Sequence, residues 1–132
     1  MRRYLIQSML FSVVTLVLLG TAPFNAAQAH GGTQPEHGGV VQLVGDMTFE
    51  LVARPEGVEL YVEDDGDEVT SADLAAKLTV VSAGAKSDVT LTPAAGNKFE
   101  AKGVKIAPGA KVTVLLTLKD KQSKIAANFT IK

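Results

Sequence analysis

The chain has 132 residues, contains no cysteine and carries a formal net charge of −1. The absence of cysteine excludes disulfides, thiolate nucleophiles and zinc–cysteine sites. The balanced charge provides neither a basic stripe for nucleic acid nor a polybasic patch for lipid headgroups, so we expect no nucleic-acid partner.

Residues 1–29 have the pattern of a secretory signal peptide. Arg2 and Arg3 precede the apolar run Leu10–Leu19, and Ala27-Gln28-Ala29 fits the small-x-small cleavage rule. We therefore expect cleavage after Ala29, a periplasmic mature protein and no membrane span after cleavage. An uncleaved N-terminal anchor is the alternative, although the apolar run is short for a transmembrane helix.

Residues 30–39 form a segment rich in glycine that contains both histidines of the chain. His30 would become the first residue after cleavage, and His30 and His37 are each followed by two glycines. Glycine permits sharp backbone turns at little steric cost. We predict a flexible arm over residues 30–39.

From Val40 onward, short runs of alternating polar and apolar residues are separated by turn residues, which is typical of an all-β sandwich or barrel. We predict an immunoglobulin-like antiparallel β-sandwich of seven or eight strands over residues 40–132. The predicted strands are Val40–Val44, Met47–Ala53, Val58–Val62, Lys77–Ser82, Asp88–Thr92, Lys98–Lys102, Lys111–Lys119 and Lys124–Ile131.

The alternation also predicts which side chains are buried. Tyr61 falls on the face opposite Leu60, so we expect it to cover an edge or to form a hydroxyl hydrogen bond. Ser71–Ala76 is predicted to be briefly helical, and Asp65-Gly66 is predicted to be a hairpin turn. The predicted core residues are Phe49, Leu60, Val80, Leu91, Phe99, Val114, Leu116 and Phe129.

The histidine arm has the donors of a transition-metal site. His30 would offer its α-amine and a ring nitrogen, and His37 would offer a third nitrogen, a set that suits copper(II) and, second, zinc. Glu36, Asp46 or Met47 could supply a fourth ligand, and the sulfur of Met47 would favour copper(I). A terminus with two incidental histidines is the alternative.

Enzymatic activity is not expected. Both histidines lie among glycines and Pro35, outside the predicted strands, whereas a catalytic histidine must be held in a fixed geometry. The acidic run Glu63–Glu68 lacks the spacing of a calcium-binding EF-hand loop, and we interpret it as a turn that adds solubility.

Several short motifs resemble small secreted β-sandwich proteins and domains associated with bacterial heavy-metal efflux, including modules of periplasmic adaptor subunits. The terminal His30 is similar to that of periplasmic copper-resistance carriers, which are also β-sandwiches, although this chain lacks their methionine-rich loop. The resemblance implies metal handling. It is carried by Glu36–Val41, Phe49–Val52, Val58–Val62, Asp64–Gly66, Leu78–Val80, Val89–Pro93 and Asn97–Phe99.

The sequence therefore predicts a periplasmic protein that binds copper, or alternatively zinc, and buffers the metal or delivers it to an efflux or resistance system. The alternative is a β-sandwich interaction module without a metal, which docks on an efflux or envelope protein through a strand edge.

Overall fold

The computed structural model describes residues 34–132, and this part is built from β-strands and one short 3₁₀ turn. The predicted signal peptide, residues 1–29, and His30 lie outside the described residues. The strands are β1 (Val40–Val44), β2 (Met47–Arg54), β3 (Gly57–Asp64), β4 (Asp67–Glu68), β5 (Ala75–Ser82), β6 (Ala85–Pro93), β7 (Lys98–Lys102), β8 (Lys111–Thr117) and β9 (Lys124–Thr130).

All strand pairs are antiparallel, and the strands follow one path in the order β1-β2-β3-β7-β6-β5-β8-β9, with β4 paired to β3. Strand β6 pairs with β5 along most of its length and with β7 through Thr92 and Pro93, so it joins the two halves. Strands β1 and β9, at the ends of the path, contact each other. The predicted all-β antiparallel fold is confirmed as a nearly closed barrel.

The predicted core residues all lie inside this barrel. Each of the eight has a relative exposure of 6% or less, and Phe49, Leu60 and Phe99 are fully buried. Val112, Val114 and Leu116 show the expected alternation along β8, since each is buried and their neighbours in the strand are not. Apolar burial of this kind is the main favourable contribution to folding.

The local turns also follow the sequence. Asp65 and Gly66 link β3 to β4, and both have positive φ, as the two central residues of a type I′ hairpin turn require. The predicted helical segment is shorter than expected: Ser71–Asp73 forms a 3₁₀ turn, and β5 already begins at Ala75. The described residues contain no helix that is long and apolar enough to cross a membrane.

Strand β2 departs from the expected alternation. Its outward-facing residues Thr48, Glu50 and Val52 are buried, as are the inward-facing Phe49 and Leu51. A strand buried on both faces needs a second layer of chain over it. That layer is the segment that immediately precedes β1.

Leucine-to-alanine substitutions test the core assignment. Leu116→Ala should lower the free energy of unfolding by about 2–5 kcal/mol, because it leaves a cavity in a closed core. The matched control Leu43→Ala changes a side chain that is 42% exposed, and it should change the stability by less than about 1 kcal/mol. Urea denaturation followed by circular dichroism measures both, and equal losses would contradict the barrel core.

Candidate functional site

Residues 34–39, which we call the strap, cross the outer face of β2 and β3. Three backbone N–H groups of the strap donate to the carboxylate of Glu50 in β2, and the ring of His37 stacks on Tyr61 of β3. Glu50 and Tyr61 are directly paired across these two strands. The strap therefore docks on one cross-strand pair.

The Glu50 carboxylate is the centre of this contact. It accepts hydrogen bonds from the N–H of Glu36 at 3.1 Å, of His37 at 2.8 Å and of Gly39 at 2.9 Å. Glu50 is only 5% exposed. Burial by itself would raise the pKa of Glu50, but the hydrogen bonds from Gly39, His37 and Glu36 outweigh it and hold the pKa below 4.5.

His37 is fixed by two contacts of different kinds. Its Nδ1 lies 2.8 Å from Glu50 Oε2, and its ring lies parallel to that of Tyr61, with centroids 3.5 Å apart and planes 3° apart. An ionised carboxylate can only accept, so Nδ1 carries the hydrogen. In the neutral imidazole, Nε2 then holds the lone pair that can bind a metal.

Two glycines after His37 allow the strap to lie this close to the sheet. A Cβ atom on Gly39 would lie 2.8 Å from Val52 Cγ2 and closer still to the carbonyl oxygen of Leu51. Gly38 has a φ of +80°, in the left-handed region that favours glycine. The His-Gly-Gly motif at residues 37–39 is therefore explained by docking of the strap.

Charged side chains hold the hydroxyl group of Tyr61 in place. The hydroxyl of Tyr61 donates to Glu59 Oε2 at 3.1 Å, and Arg54 Nε donates to the same oxygen at 2.8 Å. Burial and this hydrogen bond raise the pKa of Tyr61. The predicted hydroxyl bond of Tyr61 is confirmed, and it orients the ring on which His37 stacks.

A small cavity of about 30 Å³, lined mainly by polar and charged residues, lies between the strap and the sheet. Thr48 is 7% exposed, and its Oγ1 has no hydrogen-bond partner. Burial and the negative charges of Glu36, Glu68 and Glu50 raise the pKa of Glu63, whereas His37 acts in the opposite direction. The cavity is lined by Gln34, Glu36, His37, Val41, Thr48, Glu50, Tyr61 and Glu63.

The structure distributes the predicted metal ligands among different environments. Glu36 and His37 line the cavity. Asp46 lies in the β1–β2 turn, where its carbonyl accepts from the N–H of Asp65 at 2.8 Å, and Met47 is buried in the core. Within residues 34–132, no three His, Asp or Glu side chains are grouped so that they could hold a metal ion.

The sequence analysis missed three residues of this site, Thr48, Glu50 and Glu63, and it missed the stacking role of Tyr61. All four face outward on β2 and β3, where alternation predicts solvent. One signal was available: the hairpin of β2 and β3 brings Glu50 opposite the outward-facing Tyr61, so a carboxylate and an aromatic ring lie side by side on this face. The alternation of polar and apolar residues does not show that the strap covers this face.

Gly39→Ala should displace the strap, because the added methyl group would overlap the β2 backbone. We expect a stability loss of about 1–3 kcal/mol and faster hydrogen exchange at the Glu36 and His37 amides. Gly45→Ala is the control: its Cβ meets no atom within 4 Å, although its φ of +62° adds local strain. Unchanged amide protection in Gly39→Ala would show that the strap is not held against β2.

Glu50→Gln should lower the free energy of unfolding at pH 7 by about 1–3 kcal/mol, since it weakens hydrogen bonds to a buried charge. The pKa of folded Glu50 lies below its ordinary value of 4.5, so its contribution is present above that pH and is lost on acidification through the folded pKa. Urea titrations from pH 7 to pH 3 should therefore show the difference between wild type and variant shrinking.

Glu63→Gln makes the same chemical change on the same sheet face and should act in the opposite direction. The pKa of folded Glu63 is raised, so its ionisation opposes folding as the pH rises through the folded pKa. At pH 7 this variant should be as stable as wild type or more stable. A loss as large as that in Glu50→Gln would contradict the charge distribution described above.

Comparison with known proteins adds no relative to this picture. No protein family matches the chain, and neither a curated protein nor a solved structure matches it. A functional assignment therefore depends on the strap and on the sheet face beneath it.

Proposed function

We propose that this chain is a periplasmic transition-metal-binding protein, with His37 as a ligand and copper(II) or zinc as the metal. The observation that carries the proposal is the 2.8 Å hydrogen bond between His37 Nδ1 and Glu50. Histidines that bind metals commonly donate their second ring N–H to a carboxylate. The carboxylate fixes the tautomer and makes the imidazole a stronger donor.

The surroundings of His37 reduce the conformational entropy that the side chain would lose on binding a metal ion. Stacking on Tyr61 and the bond to Glu50 fix the plane of the ring before any ligand arrives. The side chain remains 35% exposed, so a metal ion in solution can reach it. A ligand that is already oriented loses little conformational entropy on binding.

Residues 34–132 contain no preformed group of three His, Asp or Glu ligands, and His37 is the one histidine among them, so a second imidazole must come from outside the described residues. The sequence offers His30, which cleavage of the leader would turn into a terminal residue with an α-amine and an imidazole. His37 follows His30 by seven positions, and an extended chain of that length spans about 23 Å, which is long enough to fold back. Together they would provide three nitrogen donors, as copper(II) prefers.

The signal-peptide pattern of residues 1–29 and the resemblance to efflux-associated domains support a periplasmic location. We propose that the protein buffers the metal or passes it to an efflux or resistance system. The immunoglobulin-like form of the sandwich is part of the same proposal, since it too comes from the sequence pattern and the resemblance.

A second candidate is an interaction module without a metal. Within residues 34–132, strand β1 pairs with β2 alone, and it carries Leu43, which is 42% exposed. An exposed apolar residue on the end strand of a sheet suits partner docking by strand addition. Absence of copper and zinc binding by the mature protein would favour this candidate.

Calorimetric titration of the mature protein with Cu²⁺ and Zn²⁺ tests the proposal. His37→Ala and a protein with one extra residue before His30 should each bind at least about 10-fold more weakly, because each loses a nitrogen ligand. Affinity should also fall on acidification, since protons compete for the imidazole. Mass analysis of the secreted protein checks that the chain begins at His30.

Equal affinity of the native and extended proteins would show that the terminal amine is not a metal ligand. Equal affinity of wild type and His37→Ala would overturn the proposed function. His37→Gln is a second variant for this test, because it removes the imidazole but keeps a polar side chain beside Glu50 and Tyr61.

A further inference from the structure

We infer that the cavity between the strap and β2–β3 supplies oxygen ligands to the metal bound at His37, namely the carboxylate of Glu63 and the hydroxyl of Thr48. The inference rests on the proposed function and adds a donor set that the sequence did not indicate. The occupant is one divalent ion that accepts nitrogen and oxygen together, as zinc and copper(II) do.

Thr48 provides the first argument. Its side chain lines the cavity and is 93% buried, yet its Oγ1 forms no hydrogen bond. A buried hydroxyl without a partner is costly, and such groups are rare in folded proteins. An ion or an ordered water in the cavity would satisfy this oxygen.

Charge provides the second argument. Glu36, Glu50 and Glu63 all line the cavity together with His37. The oxygens of Glu50 already accept four hydrogen bonds from the strap, so that carboxylate is engaged in docking. Glu63 therefore shares the cavity with two other carboxylates, and a bound cation would offset their mutual repulsion.

The size and composition of the cavity agree with a single ion. Its volume of about 30 Å³ is enough for a small occupant such as one ion with coordinated water. His37, Glu63 and a neutral hydroxyl do not amount to three acidic or imidazole ligands, so the donor set is consistent with the lack of such a group in residues 34–132. Solvent would complete the coordination.

Three variants of the mature protein, each titrated with Zn²⁺ and Cu²⁺ in a calorimeter, test the inference. Glu63→Gln should weaken binding at least about 10-fold through loss of a charged ligand. Thr48→Val, which is nearly isosteric, should weaken it by less than about 10-fold, as expected for one neutral donor. Glu68→Gln removes the same charge from an exposed position and should change affinity by about twofold or less.

Comparison of Glu63→Gln with Glu68→Gln distinguishes the loss of a metal ligand from the loss of a nearby negative charge. Equal weakening in Glu63→Gln and Glu68→Gln would overturn the inference, because the acidic residues would then act only through their field. Thr48→Val should also raise the thermal stability of the metal-free protein, since it removes a buried hydroxyl without a partner. Circular dichroism confirms that each variant is folded.

Failure of this inference is distinguishable from failure of the proposed function. If His37→Ala abolishes binding while Glu63→Gln and Thr48→Val leave it unchanged, the metal lies on the solvent side of the strap, and only the cavity assignment is wrong. If the wild-type protein binds neither ion, both proposals are wrong. Strong weakening in His37→Ala and Glu63→Gln together would support both.

Discussion

The carboxylate of Glu50 is the group on which the arrangement of this surface depends. A carboxylate that is 5% exposed must be compensated, because burying an unpaired charge is very costly. Three backbone N–H groups and one imidazole of the strap provide the compensation. Since all four donors lie within residues 36–39, one side chain on β2 fixes the path of the chain before β1 and covers the outer face of that strand.

The same hydrogen bonds give His37 a defined chemistry. A histidine in a glycine-rich segment has no orientation of its own, but here Glu50 binds Nδ1 and Tyr61 fixes the ring plane. The contact that stabilises the strap therefore also determines which ring nitrogen can bind a metal. Structure and proposed function are coupled at this point, because any change that releases the strap also releases the imidazole.

The two sides of the strap differ in charge and access. On one side, His37 is partly exposed to solvent. On the other, the cavity holds an unpartnered hydroxyl and carboxylates that repel each other. The strap thus partly covers a small cavity lined by carboxylates, and His37 also lines it. In the proposed site, this imidazole would bind a metal ion that enters from solution, and oxygens lining the cavity would add to its coordination.

The sequence by itself determined the local structure. The bounds of β1 and β7 match the predicted ones, the eight predicted core residues are buried, and Asp65-Gly66 forms the predicted turn, because alternation and turn chemistry act over a few neighbouring residues. Only the tertiary structure decided the strand order, the near closure of the barrel and the docking of the strap. These depend on pairings between distant strands, such as β3 with β7 and β5 with β8, and on the contact of Glu50 with the strap. Alternation shows which side chains share a face but not which segment covers it.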